Sequence, residues 1–137
     1  MPKTLLTAYA ATAVAFLAVD SVWLSLMASR LYQPLLGDML AEDFDIVAAA
    51  LFYVLYVGGI VFFAVKPALE RGRAATAALN GALFGLCAYG TYDLTNQATL
   101  KDWPAVVTVA DLCWGTFLTA TAATIGFLVA SRLRRST

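Results

Sequence analysis

The chain has 137 residues, 61% of them hydrophobic and only 13% charged, with net charge +0 and a mean hydropathy of +0.77. A soluble domain carries about a quarter charged residues, so this is a membrane composition, and the lack of a basic surface excludes nucleic acid as a partner. Histidine is absent, which removes the commonest general base, the commonest transition-metal ligand and His-ligated haem.

An apolar run begins at Thr4 and reaches about Ser29, interrupted only by Asp20. It exceeds the roughly 7–15-residue apolar core of a signal peptide and shows no convincing cleavage site, so it is read as a retained membrane helix over 4–29. Arg30 to Asp45, with Pro34, Gly37, Asp38, Glu42 and Asp43, is a polar connection whose apolar residues suit a short helix along the interface. A second helix covers 46–65 and is expected to stop at Lys66 and Pro67. Beyond the charged stretch of Lys66, Glu70, Arg71 and Arg73, a third covers 74–94. Its Gly81 and Gly85 have a small-xxx-small spacing that lets two helix backbones approach, better suited to packing than to a particular dimer, though a carrier built as a homodimer could use that face as its seam. A polar segment with Asn96, Lys101 and Asp102 leads to Pro104, suited to a first helical turn, and a fourth helix covers 104–131. The expected fold is all-α, an integral membrane four-helix bundle. Lys3, the 66–73 loop and the arginines at 132, 134 and 135 share one side, so the positive-inside rule places both termini in the cytoplasm. Cys87 and Cys113 lie in separate apolar segments without a C-x-x-C spacing and are expected as buried small hydrophobes.

Orientation turns sequence position into depth. At 1.5 Å per residue Asp20 lies about 13 Å and Asp111 about 10 Å below the outer surface, while Asp93 closes the third helix at the outer rim. Tyr89, Tyr92, Asp93 and Asn96 fall at i, i+3, i+4 and i+7, one face if the helix runs on to Asn96. Asp20 with Trp23, and Asp111 with Trp114, are each i and i+3, and Tyr53 and Tyr56 occupy the same outer half. These ten residues are the candidate ligand-binding set, read as a polar, aromatic-walled cavity open to the outside. Insertion scales place the cost of a central Asp at roughly 2.5–3.5 kcal/mol, which makes acids kept there functional candidates. Plainer readings stand beside this one. Trp and Tyr, Trp103 among them, suit the headgroup zone. Asp93 suits a helix-ending cap anchored through Thr95 and Asn96, and Asp20 and Asp111 suit an interhelical clasp.

Only Arg30 and Lys101 flank the outer side, too few to neutralise three acids, so desolvation and repulsion favour a carboxyl that trades a proton. That property fits a proton-coupled carrier whose aromatics hold a small cation or amphiphile by cation–π contact. The alternative is a membrane enzyme using one Asp as acid and its partner as base on a lipid, although no nucleophile stands beside a base. A divalent ion held by Asp20, Asp93, Asp111 and Asn96 is a further variant, since hard cations take oxygen ligands. No cofactor motif favours any of these, and no catalytic residue is assigned. A structural or interaction subunit of a membrane complex is the remaining class.

Tyr92-Asp93-Leu94-Thr95-Asn96, then Ala98-Thr99-Leu100 and Trp103-Pro104, give a YDLTN-x-ATL-x-x-WP signature, and Asp111 with Trp114-Gly115 gives D-x-x-WG. With Val19-Asp20, Trp23, Phe52-Tyr53, Tyr56 and Pro67-Ala68-Leu69 they span nearly the whole chain. In these residues the chain resembles a family of four-span bacterial membrane proteins classed as a domain of unknown function. The resemblance implies the architecture and a bacterial inner membrane location, in contact with lipid. It assigns no activity.

Overall fold

In hydrocarbon every backbone N–H and C=O must be satisfied within the chain, so apolar runs of this length fold as helices. The computed structural model describes residues 1–136. Helix α1 (Pro2–Met27) opens on a proline whose missing N–H is not needed in a first turn. It continues through a π-helical turn (Ala28–Tyr32) into the short α2 (Gln33–Leu36) and a 3-10 turn (Gly37–Met39). Helix α3 (Ile46–Ile60) is capped by Asp45, whose carboxylate accepts from the Ala48 N–H at 2.9 Å. A second π-helical turn (Val61–Val65) leads into α4 (Lys66–Arg71), which Gly72 ends at φ +66°, the left-handed region that glycine enters freely. Two long helices complete the fold, α5 (Ala74–Thr99) and α6 (Ala105–Arg135). The result is an all-α bundle of four helical rods. Among the described residues Pro2–Met39, Ile46–Arg71 and Ala105–Arg135 are long and apolar enough to cross a membrane. The remaining rod, α5, is more polar, carrying Asn80, Asp93 and Asn96.

The sequence predicts a stop at Lys66 and Pro67, whereas the helix runs on to Arg71. Pro67 removes the N–H that would bond the Phe63 carbonyl four residues back, and its ring crowds that oxygen. The backbone widens into the π-helical turn, and the freed Phe63 oxygen accepts from the Asn80 side-chain amide at 3.0 Å. Pro34 follows the Ala28–Tyr32 turn in the same way. Asn80→Leu should therefore lower stability by about 1 kcal/mol, the usual scale of one polar bond between membrane helices. The midpoint of thermal unfolding in detergent checks this.

Lipid supplies little hydrophobic drive between helices, so close backbone approach has to hold the bundle. Gly85 faces the Gly115 carbonyl, Gly81 faces the Thr119 carbonyl, and Gly115 lies under the Tyr89 ring, leaving no space for a methyl at any of the three. Helices α5 and α6 consequently run antiparallel in tight contact, and α6 meets α1 where Gly126 receives Thr12. The Gly81–Gly85 face thus serves the packing of helices within one chain, as its spacing suits, and is not left open for a second copy. Phe16, Ile60, Val65 and Leu118 fill the interior, while Leu6, Leu51, Leu55 and Leu79 project outward as a lipid-facing surface would. The expectation of buried cysteines is also corrected. Cys87 and Cys113 are free and lie on that outer surface, because the helix faces that approach closely are lined by glycine and alanine instead.

Candidate functional site

The antiparallel packing of α1, α5 and α6 brings residues far apart in sequence to one end of the bundle, the end bearing the α1–α3 and α5–α6 connections. Asp20 on α1, Asp93 on α5 and Asp111 on α6 are all buried there, at 7%, 0% and 7% exposure. Two clusters result. In the first, the Asp20 carboxylate accepts from the Tyr53 hydroxyl at 2.7 Å and from the Trp114 indole N–H at 3.2 Å. In the second, the Tyr32 hydroxyl donates to Asp111 and accepts from the Trp23 indole N–H at 2.9 Å. Trp23 and Trp114 stack with centroids 4.4 Å apart and planes 8° from parallel, so the two indoles tie the clusters together.

Asp93 differs from the other two acids. Neither of its carboxyl oxygens has a hydroxyl, amide or indole donor, although it is fully enclosed. Asp93 and Asp111 act on each other electrostatically across the α5–α6 packing, with no hydrogen bond between them. Two acids buried near each other in a dry interior disfavour carrying two charges, a general property that a proton or a bound cation relieves. The expected rim position of Asp93 is thereby corrected. Helix α5 continues to Thr99, and Thr95 bonds carbonyls of its own helix instead of serving an Asp93 cap.

Phe52, Ala88, Tyr89, Tyr92 and Asp111 line a cavity of 260 Å³ between α3, α5 and α6. The proposed one-face set on α5 divides in space. Asp93 points inward, Tyr89 and Asn96 are half-buried, and Tyr92 is 60% exposed with its ring set edge-on to Trp103 at 5.9 Å. Tyr56 is not delivered to the acids; its hydroxyl pairs with Thr119 at 2.8 Å and its ring stacks on Phe52 and Phe84 within the core. Asp20 and Asp111 do not clasp each other: Asp20 accepts from Tyr53 and Trp114, and Asp111 from Tyr32, whose hydroxyl in turn accepts from Trp23. Among the described residues no three acidic or thiol side chains converge as a metal-holding group. Tyr32 was not in the predicted set. Removing its hydroxyl in Tyr32→Phe would strip Asp111 and Trp23 of a partner at once, a loss of about 1–3 kcal/mol that thermal unfolding would register.

The apolar flanks and the enclosed carboxyl–aromatic network define an all-α membrane protein with acids buried at one end of its bundle. The chain belongs to the family described as "Predicted membrane protein (DUF2177)", whose model matches residues 5–128 and so takes in every residue of both clusters. Neither the curated proteins nor the solved structures contain a match to the chain.

Proposed function

We propose that the protein binds a small organic cation or cationic amphiphile at Asp111 and carries it in exchange for a proton held between Asp93 and Asp111. The observation that carries this reading is the enclosed, donor-less Asp93 carboxyl set against an acid that opens into an aromatic-walled cavity. When the cavity is empty, the pair holds one proton. An arriving cation meets the Asp111 carboxylate and the faces of Tyr89 and Tyr92, and the proton becomes redundant. Asp20, saturated by Tyr53 and Trp114, positions the tryptophan pair and takes no part in exchange. With both termini cytoplasmic, the cavity faces the periplasmic side of a bacterial inner membrane.

Proteoliposomes enclosing a pH dye test the exchange. A gradient of tetramethylammonium or its dodecyltrimethyl homologue should drive opposing proton flux in the wild type and none in Asp111→Asn. Absence of flux with both probes would contradict carriage. Membrane lipids should be identical in strains bearing the wild type and Asp111→Asn; a changed lipid would indicate acid–base chemistry on lipid in its place.

A further inference from the structure

Resting on the cation reading, the geometry points to a more specific ligand: we infer that the site takes a single-chain alkylammonium amphiphile, which enters sideways from the bilayer between α3 and α5. Helix α5 is packed along α6, but it meets the backbone of the second rod closely only over residues 61–71. Toward the acidic end α3 and α5 separate, and the 260 Å³ cavity occupies the space between them. The residues at its sides there, Phe52 and Tyr92, are 47% and 60% exposed. The opening is therefore directed at acyl chains as well as at the bundle end.

Size and charge narrow the occupant. A pocket for a drug-sized ligand holds about 300–1,000 Å³, so 260 Å³ accommodates a head group and leaves any chain outside, along the gap. Asp111 is the acid in the lining, and the buried, donor-less Asp93 stands behind it, which favours a positive head. No lysine or arginine lines the cavity to receive a phosphate, so a zwitterionic phospholipid head is disfavoured beside the carboxyl pair. Together these select a cationic head on one apolar chain.

The test is a titration of tetramethyl-, butyltrimethyl-, octyltrimethyl- and dodecyltrimethylammonium into the protein in phosphatidylglycerol nanodiscs. Tryptophan emission is the readout, and Asp111→Asn discs give the reference for plain partitioning. The apparent aqueous Kd should fall about fourfold with each added methylene, the equivalent of ~0.8 kcal/mol, and keep falling to the dodecyl compound. Dodecylphosphocholine should not compete. Affinity that stops improving beyond butyl would overturn lateral entry while leaving cation binding intact, and effective competition by dodecylphosphocholine would overturn the choice of head group. Absence of saturable binding by every member would remove the cation reading itself. Ala88→Trp, which fills the cavity while leaving both acids in the sequence, should abolish binding in a folded protein; unchanged binding would place the ligand elsewhere.

Discussion

Asp93→Asn should yield a protein that is more resistant to unfolding than the wild type and unable to exchange a proton. A buried polar atom without a partner costs about 1–3 kcal/mol, and more when charged. Asp93 has two such oxygens and no exposure. Asparagine keeps the shape, removes the charge and brings an amide that can donate toward the neighbouring acid. The gain should be about 1–3 kcal/mol, read as a raised midpoint of thermal unfolding in detergent. A lowered midpoint would mark Asp93 as a structural clasp and count against a working role. Functional groups held against their own stability are a known pattern, and hydrophobic or neutral replacements at such positions commonly stabilise.

Asp111→Asn should act in the opposite sense, leaving stability nearly intact and removing ligand affinity. Asparagine at this position still offers an oxygen to the Tyr32 hydroxyl, so the bridge from Tyr32 to Trp23 survives. The charge that meets the ligand does not. Removing one partner of a desolvated charge pair costs about 2–5 kcal/mol, which is roughly thirtyfold to several-thousandfold in Kd. Tryptophan emission titrated with dodecyltrimethylammonium measures it, because the Trp23–Trp114 stack lies beside the acids. Loss of fold in Asp111→Asn, judged by its thermal midpoint, would contradict the separation of roles between Asp93 and Asp111.

The four helices are legible in sequence because hydrocarbon leaves an apolar chain no other way to satisfy its backbone. Gathering of the acids toward one end follows from antiparallel connectivity and the rise per residue, which put Asp20 and Asp111 at similar heights before any contact is known. Which acid meets which is a different matter. Pairing of Asp93 with Asp111 depends on the rotation of α5 about its axis, set by the contacts of Gly81, Gly85 and Gly115, and no spacing within one helix encodes it. Tyr56 shares the register of Tyr53 but turns toward Thr119, a choice made by the packing of Phe52 and Phe84. Tyr32 lies in a stretch that reads as connection, and its partner is distant in sequence. The one local signal for it is Pro34, which goes with a widened turn and hence with a bend that can lay an aromatic ring over the bundle end.

Infrared difference spectroscopy of the carboxyl stretch gives the most direct view of the Asp93–Asp111 pair. In nanodiscs, adding dodecyltrimethylammonium should bleach a protonated-carboxyl band in the wild type, and that difference should be missing in both Asp93→Asn and Asp111→Asn. A wild-type spectrum unchanged by saturating ligand would mean that no proton leaves the pair, and the proposed exchange would have to be abandoned.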